Sequence, residues 1–238
     1  MTSIAIILAR GGSKRLPGKN KRMFFGKPLV AWTIEAALLA KSFDRILLST
    51  DSQEIAEIGV EFGAEVPFLR DRASDDHSSS SEATLAALDQ AEEYWAESFT
   101  DVAQLMANCP LRTSQHICDA MNRFSQNNLS SQISCFKFGW MNPWWAAKLP
   151  PDGKPEWVFP QTRHSRSQDL PDLYCPSGAL WIAKTLSLRI HQSFYMPEHV
   201  FDVMDWMSAM DIDEEEDWVM AEACKSLQQR MVRNDSRF

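Results

Sequence analysis

Ile4-Ala5-Ile6-Ile7-Leu8-Ala9 runs straight into Arg10-Gly11-Gly12-Ser13-Lys14-Arg15-Leu16-Pro17-Gly18-Lys19-Asn20. The first six residues read as a strand that is apolar on both faces, which suits a sheet covered on both sides. The next eleven carry three glycines and four cations. They fall where an open α/β sheet places its ligands, at the carboxyl end of a strand. Backbone N–H groups with Arg and Lys beside them make a cradle for a polyphosphate. A nucleotide is therefore the expected ligand.

Working outward, strand and helix signals alternate through the first half of the chain. A helix opens at Lys27-Pro28-Leu29, with proline suited to the first turn and Val30, Ile34, Ala37 and Leu38 on one stripe. Residues 45–50 read as a second strand. Asp51 is placed to cap the next helix, which buries Ile55, Ile58 and Phe62 and stops at Gly63. A short strand is expected at 65–68, a helix at 82–97, a strand at 102–106, and a helix capped by Thr113 that runs to about Phe124. The middle changes character. Residues 133–159 mix short strands, aromatics and turns, and a β-rich insertion or lid is expected at about 137–175. Strands at 178–183 and 200–203 return to the core, and an acidic helix start at 214 leads to a terminal helix. The tail after Arg230 reads as frayed. The expected fold is α/β: one three-layer domain over 1–238, built on a mostly parallel, Rossmann-like sheet.

Composition narrows the function. The chain has 238 residues, 24 Lys and Arg against 32 Asp and Glu, and a formal net charge of −8. That argues against nucleic acid as partner and makes the cations at 10–22 stand out. Five scattered cysteines show no zinc spacing, as expected of reduced thiols in the cytoplasm. No secretory leader or membrane-spanning run is evident, so no membrane partner is expected. The five histidines are too dispersed for a local metal motif.

The loop fits neither common phosphate motif. A Walker A loop needs four residues before its Gly-Lys-Ser/Thr, but here five separate Gly12 from Gly18 and Asn20 follows Lys19. A Rossmann G-x-G-x-x-G is absent. What the segment 8–20 does resemble is the signature of the cytidylyltransferases that activate nine-carbon 2-keto sugar acids, the acylneuraminate (CMP-sialic acid) synthetases and their pseudaminate and legionaminate relatives. The likeness recurs, in the family's order, at Leu47-Leu48-Ser49-Thr50-Asp51, Gly63-Ala64-Glu65-Val66-Pro67-Phe68-Leu69-Arg70 and Cys109-Pro110-Leu111-Arg112-Thr113. It returns at Arg166-Ser167-Gln168-Asp169-Leu170-Pro171 and Asp211-Ile212-Asp213.

The resemblance implies a set of roles. CTP would lie on Leu8, Ala9, Arg10, Gly11, Gly12, Ser13, Lys19, Asn20 and Arg70, with Lys19 and Arg10 holding its phosphates. Asp211 and Asp213 would hold Mg²⁺ or Mn²⁺, and Asp211 joins Lys19 and Arg10 as a catalytic residue. Two carboxylates two residues apart fall on one side of an extended segment, and hard oxygens suit Mg²⁺. Read without the family, the same acids could simply be a solvated helix start. Asn108, Arg112, Arg166 and Gln168 would meet the sugar acid, the arginine forks suiting a carboxylate. A homodimer is implied, and Trp140, Trp144, Trp145 and Trp157 could pack its interface or line an acyl pocket. The chain departs from the family where a Gln is replaced by Met106 and an Arg by Cys175, which leaves the sugar open. An eight-carbon (3-deoxy-manno-octulosonate) cytidylyltransferase, or a degenerate nucleotide-binding module, are the competing readings.

Overall fold

The computed structural model describes residues 2–73 and 78–235. Along the chain, β1 (Ser3–Leu8) leads through the glycine-rich loop to a hairpin of β2 (Met23–Phe24) and β3 (Lys27–Pro28). Helix α1 (Leu29–Ala40), β4 (Arg45–Ser49), α2 (Gln53–Glu61), α3 (Ser80–Trp95), β5 (Asp101–Met106), α4 (Ser114–Gln126) and β6 (Ser131–Lys137) follow. A second hairpin, β7 (Ala147–Lys148) with β8 (Glu156–Trp157), precedes the long β9 (Tyr174–Lys184). Then come α5 (Thr185–His191), β10 (His199–Val203) and α6 (Glu215–Asp235).

The main sheet has six strands in the order β10-β6-β9-β5-β1-β4. β1 pairs in parallel with both β4 and β5, and β10 in parallel with β6. β9 alone runs against its neighbours β5 and β6. The α/β, mostly parallel expectation is met. The pleat of β1 explains why its sequence is continuously apolar: Ala5, Ile7 and then Ala9 join a core under α1, α2 and α4, while Ile4, Ile6 and Leu8 join another under α3 and α5. Each fully buried Ile or Leu contributes roughly 1.5–3 kcal/mol, so this one strand binds both helical layers to the sheet. A third cluster, including Leu16, Phe24, Leu29 and Trp218, seats α6 against the glycine-rich loop.

Local chemistry sets the helix ends. Ser79 and Glu82 form a reciprocal capping box at the start of α3, and Thr113 with His116 forms another at α4. Gly63 has φ +91° just past α2, where a side chain would be strained. Three expectations need correcting. Residues 65–68 make only one bridge, Glu65 to Leu47, because Pro67 has no N–H to extend a ladder. Ser52, not Asp51, is the cap residue of α2; the Asp51 carboxylate is engaged elsewhere, as shown below. The last helix continues past Arg230 to Asp235, while residues 236–238 of the tail lie outside the described part. Between β6 and β9 the chain forms the β7–β8 hairpin and short 3-10 turns rather than extended sheet. Among the described residues no helix is long and apolar enough to cross a membrane.

Candidate active site

The glycine-rich loop is held in shape by its own polar groups. Gly18, at φ +69°, turns the chain into a single 3-10 turn, 19–21. Asn20, buried there, donates its amide to the Arg10 carbonyl at 3.0 Å and ties the two ends of the loop together. Arg22 then fixes the loop to α6: its guanidinium forks onto the Glu215 carboxylate at 2.6 and 2.8 Å and lies 4.1 Å from the Trp218 ring centroid. Ser13 donates its N–H to the Gly11 carbonyl at 3.2 Å.

This bracing brings the loop onto the segment before α6. Lys19 Nζ donates to Asp213 Oδ1 at 2.6 Å and to the Ile212 carbonyl at 2.7 Å. Arg15 pairs with the other Asp213 oxygen and reaches Glu214 at 3.3 Å. Asn108, at the end of β5, donates to Asp213 Oδ1 at 3.2 Å and to the Ile212 carbonyl at 3.1 Å. Its own carbonyl accepts from Ile212 N–H at 2.9 Å. Asp217 accepts from the N–H groups of Asp213 and Glu214 and fixes their backbone. Thus two chain segments nearly 200 residues apart meet as a salt-bridged pair at the carboxyl edge of the sheet.

The two aspartates differ electrically. Burial alone would push the Asp213 carboxyl up, but the Lys19 hydrogen bond and the charges of Lys19 and Arg15 outweigh it and hold it below the usual carboxylate range. Burial first, and then the negative charge of Asp213, push Asp211 above that range, against the pull of Lys19. The Cys109 thiol is driven up to about 12 chiefly by its burial, which makes it a packing group rather than a nucleophile.

A cleft of about 460 Å³ opens beside this pair. Leu8, Arg10, Ser13, Lys19, Asn20, Arg70, Asn108 and Asp213 line it, as do Lys14 and Arg15. Arg70 is buried and donates to the Ser49 carbonyl and hydroxyl at 3.3 and 3.2 Å; burial lowers its pKa. Ser78, Ser79 and Ser80 at the start of α3 also line the cleft, as does Met106. Those serines are absent from the sequence-derived site, although the Ser79-x-x-Glu82 capping pattern was there to mark a helix start. Met106 leans on Gly178, where an added Cβ would lie 2.8 Å from Met106 Cγ.

Several expected contacts fall elsewhere. Ala9 belongs to the core and its N–H is bonded to the Ser49 carbonyl. The Gly11 N–H donates to the Asp51 carboxylate at 2.7 Å, so it is already engaged rather than open to a phosphate; Gly12 has open space around its Cα. Asp211 stands beside Asp213 but does not line the cleft. Arg112 is buried, donates to the Ala179 carbonyl and lines a different hollow, because it ends a run, 107–112, that is buried throughout. Arg166 forks onto Asp169 at 2.7 and 3.0 Å on an exposed 3-10 turn that includes Gln168, away from the cleft. Among the described residues no group of three or more His, Cys, Asp or Glu is arranged to hold a metal.

Residues 4–136 match the cytidylyltransferase family. The chain is also 34% identical to the pseudaminic acid cytidylyltransferase of Campylobacter jejuni strain 81-176, over 89% of its own length and 94% of that enzyme. The chain belongs to the cytidylyltransferase family. This cytidylyltransferase is 32% identical to the CMP-N,N'-diacetyllegionaminic acid synthase of Legionella pneumophila, over 98% of its length and 100% of that protein. Its fold is shared with a CMP:2-keto-3-deoxy-manno-octonic acid synthetase solved with CTP, at a TM-score of 0.70 and 13% identity, covering 96% of this chain and 100% of that one. As a family member it is a nucleotidyltransferase, and the cation-lined cleft at its sheet edge is the candidate place for the nucleotide.

Proposed function

We propose that this cytidylyltransferase activates a nonulosonic acid, a nine-carbon 2-keto sugar acid, with CTP to give the CMP-sugar and pyrophosphate. The observation that carries the reading is the Lys19–Asp213 contact at 2.6 Å on the wall of the cleft. It unites a phosphate-binding cation with a metal-type carboxylate. The class of sugar is supported by the relatives named for pseudaminic and diacetyllegionaminic acids, which match along nearly the whole chain.

In the proposed reaction the 2-hydroxyl oxygen of the sugar acid forms a bond to the α-phosphorus of CTP. The bond from that phosphorus to the oxygen bridging to the β-phosphate breaks, pyrophosphate leaves, and the hydroxyl proton passes to solvent. Such in-line displacement asks the protein for positioning and charge neutralisation. Lys19 and Arg10 hold the triphosphate and the departing pyrophosphate. Asn20 and Arg70 contact the nucleotide, the Gly12–Ser13 backbone lies under it, and Asp211 orients the hydroxyl. The donor chemistry suits Mg²⁺, which takes few carboxylates and completes its shell with phosphate and water oxygens. Asp211 and Asp213 would be its protein ligands, and when bound it supplies neutralising charge at the phosphates. Asn108 acts by fixing Asp213 and by presenting a polar surface to the sugar.

The 137–175 insertion serves, on this reading, to join two copies of the chain as a homodimer and to bring Arg166 and Gln168 toward a sugar acid. A cytoplasmic location fits five cysteines that are all free thiols in the structure. Pyrophosphate release with CTP, Mg²⁺ and a panel of sialic, pseudaminic, legionaminic and 3-deoxy-manno-octulosonic acids tests the proposal. Release with at least one nine-carbon acid is expected. Release with the eight-carbon acid alone, or with none, would overturn it.

A further inference from the structure

Ser49, Thr50 and Asp51, at the carboxyl end of β4 and just beyond it, hold two parts of the nucleotide cleft. The Ser49 carbonyl accepts from the Ala9 N–H at 3.1 Å and from Arg70 Nη1 at 3.3 Å. The Thr50 carbonyl accepts from the Arg70 N–H at 2.7 Å. Asp51 Oδ1 accepts from the Gly11 N–H at 2.7 Å. Ser49 and Thr50 are buried, but Asp51 is exposed, so it contributes a polar contact to the loop rather than packing.

The Gly11 N–H belongs to the same peptide unit as the Arg10 carbonyl. That carbonyl accepts from Asn20 Nδ2 at 3.0 Å. One peptide is therefore gripped at both ends, by Asn20 and by Asp51. Because a peptide unit is planar, fixing its oxygen and its N–H fixes the direction in which the chain leaves Arg10. Arg10 and Asn20 line both the cleft and an adjoining hollow of about 310 Å³, which Gly11 and Asp51 also line. The grip thus lies beside the cleft, at Arg10. The approach is close: a Cβ on Gly11 would stand 3.0 Å from Ser52 Cβ.

A carboxylate near a triphosphate site would repel the ligand, so its presence needs a reason. One is charge: burial lowers the pKa of Arg70, Asp51 opposes that shift, and Arg10 adds to it. The other is geometry, since an ionised acceptor makes a strong, directional bond to a backbone N–H. Water screens the charge of an exposed group, which leaves geometry as the larger contribution.

We propose that Asp51 is a positioning residue for the nucleotide: it locks the Arg10–Gly11 peptide so that Arg10 presents its guanidinium to the triphosphate. This role rests on the CTP reading of the cleft given above.

The test is CTP binding, measured by calorimetry with Mg²⁺ and no sugar acid. Asp51→Ala should weaken it about tenfold, the scale for losing a hydrogen bond to a charged group, with Tm within a few degrees of wild type. Asp51→Asn keeps the acceptor oxygen and should recover most of the loss. In an Arg10→Ala background, Asp51→Ala should cost no more than about twofold, because the two residues act as one. Where that background binds too weakly to measure, recovery in Asp51→Asn decides. In steady-state kinetics KM for CTP should rise in Asp51→Ala while KM for the sugar acid stays the same. Unchanged or tighter CTP binding in Asp51→Ala, no recovery in Asp51→Asn, or the full loss persisting in Arg10→Ala would overturn the inference. A wild type that binds no CTP would instead refute the nucleotide reading, and the role of Asp51 with it.

Discussion

Asp213 accepts from Lys19, Arg15 and Asn108 at once, and this convergence is what turns a basic loop and an acidic helix start into one site. Lys19 and Asp213, which meet here, are both residues that the sequence singles out, Lys19 by its basic glycine-rich loop and Asp213 by the resemblance that pairs it with Asp211. The partners of Arg112 and Arg166 are not legible there. Nothing local says that the guanidinium after Pro110-Leu111 donates to the Ala179 carbonyl, or that Arg166 has its carboxylate partner three residues on. Met106 shows how one residue can shape the cleft. Gly178 leaves room for its side chain, and a Cβ there would stand 2.8 Å from Met106 Cγ. Because Met is flexible, it should yield into the cleft rather than disrupt the fold. Gly178→Ala is therefore expected to raise KM for the sugar acid several-fold, with Tm nearly unchanged, in steady-state kinetics and thermal melts. An unchanged KM would separate Met106 from substrate binding.

Elements follow their sequence signals wherever one local rule acts alone. The α4 cap at Thr113 and the stop at Gly63 are examples. The exceptions arise where a residue has a better partner in space: Asp51 leaves its helix to bind the Gly11 N–H. Packing of α2 on β4 gives a sharp test. A Cβ at Gly59 would press into Leu48 and come within 2.9 Å of Val66 Cγ2. Helix propensity favours Ala over Gly by about 1 kcal/mol, but overpacking of this kind costs roughly 1–3 kcal/mol. Gly59→Ala should lower Tm by several degrees, and a rise in Tm would contradict the packing. The α6–α1 contact tests charge. Lys225 Nζ lies 3.8 Å from the Trp32 ring centroid, with Lys27 Nζ 3.7 Å from the same centroid. Burial, then repulsion from Lys27, lower the Lys225 pKa to about 8, against an opposing pull from Glu35. Between that value and about 10.4 in the unfolded chain the unfolded state holds more protons, so stability rises with pH through this window. Lys225→Met should therefore be more stable than wild type at pH 7, with the gap closing toward pH 10. A gap that stays constant across pH would refute the linkage.

At the scale of the whole molecule, the six-stranded sheet was readable because β1 is apolar on both faces and strand–helix alternation follows it. The 137–175 stretch was less so, since short irregular segments take their shape from what covers them. Trp140 is 84% exposed there, with Met141, Leu149 and Val158 also open to solvent. These are apolar side chains that the proposed homodimer would cover. Light scattering should give twice 27.1 kDa for wild type and 27.1 kDa for Trp140→Glu; a monomeric wild type would contradict it. The central claim is that the loop and the aspartate pair form one catalytic centre for CTP. Its most direct measurement is kcat of Lys19→Ala, by pyrophosphate release at saturating CTP with an acid that the wild type accepts. The expected result is a loss of about 10²–10³-fold, the scale for removing a preorganised charge at the reacting group, with Tm within a few degrees of wild type. Near-normal turnover in a folded Lys19→Ala protein would contradict the account.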